Sequence, residues 1–279
     1  IMKVDLHCHS YYSDGKHSPE FLLQRARENG VSHLAITDHD CIHAFSQLDQ
    51  DYDDIELLNG VEISCFWQGL EIHVVGLLID LSNEELQSLL DLQQSHRRNR
   101  IDAMDQKLQD LGVKDLCSWF ESKQCTAMTR SHVADFLVEK QLSKNRQKAF
   151  KKYLAKRGRI YVPAKWCSLE EAVQTICSAN GIAVLAHPSR YPLSKRKLNS
   201  LTEEFANCGG EAIETSYSNI DPNTRRQLSE LAAEFKLYSS AGSDFHDEAA
   251  HWTDIGKYPD LDQQTKKNAI WNHPRWHYN

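Results

Sequence analysis

The 14 histidines among 279 residues matter for where they fall. Four short clusters mix imidazole with carboxylate: D-L-H-C-H-S (5–10), I-T-D-H-D (36–40), A-H-P (186–188) and G-S-D-F-H (242–246). Glu62 in G-V-E and His73 in E-I-H-V-V-G add two more candidate donors. On an extended chain, residues two apart share a face, so His7 with His9, and Asp244 with His246, each aim two donors one way. That is what chelation of a metal ion requires. Imidazole and carboxylate donors without evident thiolates suit Zn2+, Mn2+ or Fe2+ better than Ca2+, and several such groups can build a multinuclear hydrolytic centre. A lone His-x-His is more often ordinary strand sequence, and Glu62 alone reads as a surface glutamate. The joint occurrence of all the clusters at expected strand ends is what favours metal.

The elements that must position them follow from local signals. MKVDL reads as a short buried strand. Ser18-Pro19 opens a helix through LLQRAREN that Gly30 stops, with Ser18 as cap and Pro19 at the first helical position. HLAIT (33–37) is the next strand; IELLNGVEIS (55–64) and LEIHVVGLLI (70–79) are two β-rich segments parted by Gln68-Gly69. Ser168-Leu169-Glu170-Glu171 is a capping box before EAVQTICSAN, Gly181 ends that helix, and IAVLA (182–186), EAIET (211–215) and the run before AGSDFH supply the last strands. Repeated strand-helix units favour a parallel sheet, closed as a barrel or wound open, with ligands at the carboxyl ends of the strands.

Between these halves the texture changes. A long amphipathic stretch from about residue 82 leads into further helical segments ending near Lys165. We read an inserted helical domain over 82–165, within a barrel domain formed by 1–81 and 166–279. Residues 84–165 hold 17 Lys/Arg against 10 Asp/Glu, a net +7, which leaves −14 for the remainder of a chain whose formal charge is −7. The acidic mean argues against an electrostatic grip on long duplex nucleic acid. The eight cysteines contain no C-x-x-C pair, so neither a zinc ribbon nor a small disulfide framework is signalled. No apolar run reaches the roughly 18 residues of a membrane span, and no leader is evident, so a cytoplasmic enzyme without a membrane or protein partner is expected.

With these motifs, from D-L-H-C-H-S through I-T-D-H and A-H-P to G-S-D-F-H, the chain resembles the PHP (polymerase and histidinol phosphatase) family of metal-dependent phosphoesterases. The insertion followed by C-S-L-E-E-A and L-A-H-P-S-R-Y is most similar to the subgroup of 3′,5′-nucleotide bisphosphate phosphatases and bacterial 5′-to-3′ exoribonucleases. The resemblance implies a distorted (β/α)7 barrel with two to three divalent ions (Mn2+, Zn2+ or Fe2+). By motif, His7, His9, Glu62 and Asp244 would hold one; Glu62, His73 and His187 a second; Asp14, His39 and His246 a third. Many family members carry histidine where this chain has Asp14, a competent ligand of different charge and softness. Asp38 is expected either to orient a ligand histidine or to shape its turn.

Bound divalent ions would make a metal-bound hydroxide the nucleophile. The sequence holds neither a G-x-S-x-G elbow nor a Walker-type loop that would suggest otherwise. The resemblance places Arg130 and His132 of T-R-S-H, and Arg190 of H-P-S-R-Y, near the substrate phosphate, where arginine offers a planar fork. The expected substrates are 3′,5′-nucleotide bisphosphates, losing the 3′-phosphate, and short 5′-phosphorylated RNA degraded 5′ to 3′. The alternatives are a phosphatase of the histidinol-phosphate type, which lacks a reason for the basic insertion, and a non-catalytic metal-binding module. The tail residues Trp271, His273, Trp276 and His277 are expected to pack on the barrel rather than stack bases.

Overall fold

The computed structural model describes residues 1–48, 52 and 54–278. Strand β1 (Val4–Asp5) leads through the first motif to α1 (Pro19–Glu28). The Ser18 hydroxyl accepts from Phe21 N at 3.1 Å, satisfying a donor that the first helical turn leaves over. Strand β2 (His33–Ile36) and the single turn α2 (Ala44–Gln47) follow, then the long hairpin β3 (Glu56–Trp67) and β4 (Leu70–Leu77). Gln68 and Gly69, with φ of 48° and 77°, make a two-residue turn whose left-handed backbone matches the strand twist.

The helical stretch comprises α3 (Glu84–Asp110), α4 (Leu116–Glu121), α5 (Arg130–Glu139) and α6 (Arg146–Ala149), the last running into a π turn over Phe150–Leu154. Helix stops there, short of Lys165. An added Cβ at Gly158 would lie 2.3 Å from the Tyr153 carbonyl carbon, and Pro163 has no N–H to give a helix. Strand β5 (Cys167–Ser168) then joins β3, and α7 (Leu169–Ser178), β6 (Ile182–Leu185), α8 (Lys195–Asn207), β7 (Ala212–Tyr217), α9 (Pro222–Glu234) and β8 (Tyr238–Gly242) complete the α/β alternation.

The strands run in the order β1-β2-β3-β4-β6-β7-β8, and the ring closes where Leu6 N donates to Ala241 O at 3.1 Å and His9 N to Phe245 O at 2.9 Å. This is the distorted (β/α)7 barrel. Its distortion is β4, antiparallel to both β3 and β6. The strand-helix rhythm favours a parallel sheet, and β1-β2, β2-β3, β6-β7 and β7-β8 do pair so, but a two-residue turn can join only antiparallel neighbours.

The barrel is filled by Val4, Leu6, Ala35, Leu58, Val75 and Val184, and Ile270 and Trp276 of the tail pack against them. His273 reaches Glu211 at 2.7 Å, so the tail packs on the barrel, as expected. The first half of α3 joins, through Leu86 and Leu90, a second cluster in which β3, β4 and α7 meet at Val61, Ile72 and Val173, and its second half joins a third with Phe120, Val133, Phe136 and Leu154 through Ile101, Met104 and Leu108. One helix, about 40 Å long at 1.5 Å per residue, thus belongs to both cores.

Candidate metal centre

Four of the motifs leave the barrel at one mouth: His7 and His9 follow β1, His39 follows β2, His187 follows β6, and Asp244 and His246 follow β8. Glu62 and His73 differ from the expectation, since they lie inside β3 and β4 rather than at strand ends. The hairpin overshoots β2, pairing Glu62 with His39 beyond the end of that strand, and so carries both residues to the same level.

The nine candidate ligands converge. Glu62, 1% exposed, places one carboxylate oxygen 3.1 Å from His7 Nε2, 3.0 Å from His9 Nε2 and 3.4 Å from His39 Nδ1. Its other oxygen is 3.1 Å from both His73 Nδ1 and His187 Nε2. Three groups of donor atoms each gather within 4.8 Å: His7, His9, Glu62 and Asp244; His9, Asp14, His39 and His246; and His39, Glu62 and His73. The first matches the set implied by resemblance. The other two draw in His9 and His39, while His187 meets Glu62 from outside them.

Buried atoms without a hydrogen-bond partner include His7 Nε2, Asp14 Oδ1, His39 Nδ1, Glu62 Oε2 and His73 Nδ1. A buried polar atom left unpaired is costly, and here the unpaired atoms face one another at ligand distance. That is the donor set divalent cations would fit. Without cations, burial alone would lower His9, but Asp244 and Glu62 outweigh it and lift it to about 10; His73 is raised to about 10 mainly by Glu62. Burial opposes ionisation of Glu62, yet His7, His39 and His73 hold it well below the usual carboxylate range.

Among the groups that support this cluster, Glu214 and Arg97 carry no signal in the sequence motifs. Glu214 of β7 bonds His7 Nδ1 at 2.8 Å and accepts from His187 N at 2.7 Å, holding two motif histidines from behind. Asp38, one candidate for that task, accepts from Ser10 N and Oγ and from Ser13 Oγ at 2.7, 2.6 and 2.6 Å. It therefore braces the loop after β1 and reaches His9 only through Ser13, 3.3 Å from Nδ1. Buried Asp5 accepts from Ser243 N at 2.9 Å and Gly256 N at 2.7 Å, tying β1 to the loop after β8. Buried Asp40 pairs with Arg97 of α3 at 2.6 Å, clamping the helix to the mouth.

The three candidate phosphate residues are not gathered in one place: Arg130 and Arg190, each with about a third of its side chain exposed, lie beside different carboxylates, and His132 is buried. Arg190 bonds Asp244 and lies 3.3 Å from Ser218 O. Arg130 lies 3.9 Å from Glu71, which flanks His73 at 3.7 Å. His132 is buried, with Nδ1 accepting from Thr129 N at 3.1 Å in the cap of α5, so that nitrogen is not available to a ligand.

Compared with known proteins, residues 5–163 match the model of the PHP domain family. The chain is 39% identical over 258 residues to the 5′-3′ exoribonuclease Rnm of Escherichia coli, covering 91% of this chain and 88% of that one. It is 33% identical over 267 residues to the 3′,5′-nucleoside bisphosphate phosphatase of Chromobacterium violaceum, covering 94% and 93%. A solved structure of an amidohydrolase from Chromobacterium violaceum with bound sulfate superposes with a TM-score of 0.87 at 32% identity, covering 96% of this chain and 94% of that one.

Proposed function

Because the chain belongs to the PHP domain family, we propose that it is a metal-dependent phosphoric ester hydrolase acting on 3′,5′-nucleotide bisphosphates and on short 5′-phosphorylated RNA. Both activities need only one bond to break, that between a 3′-oxygen and phosphorus. With a bisphosphate, water adds to phosphorus, the 3′-hydroxyl is regenerated and phosphate departs. With RNA, the same step frees a 5′-mononucleotide and leaves the phosphate on the shortened chain as its new 5′ end. Repetition gives 5′-to-3′ degradation.

The carrying observation is the convergence of nine imidazole and carboxylate side chains at one mouth, with Glu62 among five of the imidazoles and with unpaired buried atoms facing one another. Two to three divalent ions, Mn2+, Zn2+ or Fe2+, would be held there: one by His7, His9, Glu62 and Asp244, one by Glu62 and His73 with His39 or His187, and one by Asp14, His39 and His246. Bound there, such ions supply Lewis-acid activation of water and neutralise phosphoryl charge. Glu62, shared by the first two donor sets, would contribute to both. Glu214 accepts the Nδ1 proton of His7 and so turns the Nε2 lone pair inward. Arg130 and Arg190 bind substrate phosphate from two sectors of the rim, while His132 acts chiefly by fixing the first turn of α5 behind Arg130. Residues 82–165 form a basic cap that draws the anionic substrate towards the acidic mouth.

Incubating the Mn2+-loaded enzyme with 3′,5′-adenosine bisphosphate and with 5′-phosphorylated oligoribonucleotides tests the reading. Phosphate from the first and mononucleotides from the second are expected; release from neither would overturn it.

A further inference from the structure

We propose that a groove leading from Arg190 past Trp252 binds the second nucleotide of an RNA substrate, with its base stacked on the Trp252 indole. This rests on the function proposed above and specifies how the same site accepts a chain.

Trp252 is 55% exposed, and among the described residues it is the one tryptophan that is mainly solvent-facing. Its support is nevertheless fixed. The adjoining Thr253 is buried, and its hydroxyl lies 2.9 Å from Ser218 Oγ and 3.4 Å from Ser243 O. Ser218 O in turn receives Arg190, which bonds Asp244. A short bonded path thus ties the exposed indole to the candidate metal centre.

Arg190 and Trp252 line one cavity of about 420 Å³, together with Tyr217, Asn219 and Asp221. A second, of about 640 Å³, lies on the far side of Trp252 and is bordered by Lys3 and Lys257. The two share Asn219, Ile220 and Trp252, so the indole stands where one passes into the other. Of the carboxylates along this course, Asp254 pairs with Arg25 at 2.5 Å, and Asp221 caps α9, accepting from Thr224 N at 2.9 Å, where the helix dipole offsets part of its charge. The cations have neighbours too, Arg190 bonding Asp244, Lys3 Nζ donating to Asn29 O at 2.9 Å and Lys257 Nζ to His251 O at 3.4 Å, but a backbone carbonyl leaves each lysine its full charge; the course thus carries an arginine at the inner end, an aromatic face in the middle and two lysines beyond. A cationic track with a stacking platform is how single-stranded nucleic acid is bound without sequence preference.

Polarity follows from the chemistry. A bisphosphate and an RNA share the first nucleotide and the reacting phosphorus, and differ only in what that phosphorus carries beyond. Arg130 stands beside Glu71 of β4, and Arg190 beside Asp244 after β8, so the two arginines serve different sectors of the mouth. The first nucleotide's 5′-phosphate lies on the Arg130 side, and the second nucleotide leaves along Arg190 and Trp252.

The test compares wild type, Trp252→Ala and Trp252→Phe in the metal-loaded enzyme, on adenosine bisphosphate and on a 5′-phosphorylated diadenylate. Trp252→Ala should lower kcat/KM for the dinucleotide about tenfold, through KM, with the loss confined to the substrate that has a second base. Trp252→Phe should restore most of it. An equal loss on both substrates, meaning a structural role or a self-contact, would overturn the proposal, as would no loss on the dinucleotide. Wild-type enzyme inert towards both would instead refute the underlying function.

Discussion

Glu62 has five imidazoles within 3.4 Å and almost no exposure to water. Among uncharged residues such a carboxylate would be expensive, and its position makes it the residue whose loss should undo most. Glu62→Gln keeps size but removes the charge; metal content, measured by elemental analysis, and hydrolysis should fall together. Glu214→Gln should instead weaken metal affinity about 10–100-fold while leaving all nine candidate ligands in place. The motif histidines were legible because they occur in dense local clusters. Glu214 was not, standing alone in E-A-I-E-T. The available signal was an acidic residue inside a strand expected to be buried, since a charge there demands a partner. His132 provides a pH test. Burial pulls it from 6.5 to about 4, and the folded cap needs neutral Nδ1 to accept from Thr129 N. As pH falls through that window the unfolded chain takes up the proton first, so stability present above about 6.5 is lost towards about 4. The Tm advantage of wild type over His132→Gln should therefore shrink between neutral pH and pH about 4.5.

The β3–β4 hairpin and α3 do most to set the mouth. The hairpin extends past β2 and delivers Glu62 and His73. The turn at Gln68-Gly69 was legible, and its two-residue length requires the antiparallel pairing of β3 and β4, an exception that the surrounding strand-helix rhythm does not mark. The start of α1 at Ser18-Pro19 was also legible, because capping chemistry is local. The role of α3 was not. Its Arg97 meets Asp40 across 57 residues, and such a long-range pair leaves no mark on local spacing. Arg97 is 5% exposed and Asp40 fully buried, so Arg97→Met would strand a carboxylate in the core. Chemical denaturation should show a loss of about 3–5 kcal/mol, far above what a surface pair would cost.

The molecule as a whole is divided in charge. Net −7 conceals a +7 stretch over 84–165 and a −14 remainder. No helix among the described residues is long and apolar enough to cross a membrane. A basic helical stretch beside an acidic mouth would let cations and phosphates assemble in one place. If two phosphates of an oligonucleotide are neutralised by the protein, affinity should fall about sevenfold between 50 and 200 mM salt, with a smaller effect on the bisphosphate. Steady-state KM values across that range would show it. The proposed chemistry turns on which bond opens, and hydrolysis in 18O-labelled water reads this directly. From adenosine bisphosphate, mass spectrometry should find the label in the released phosphate and none in the adenosine monophosphate. Label in the nucleotide's 3′-oxygen, or turnover undiminished after complete removal of divalent ions by chelation, would contradict it.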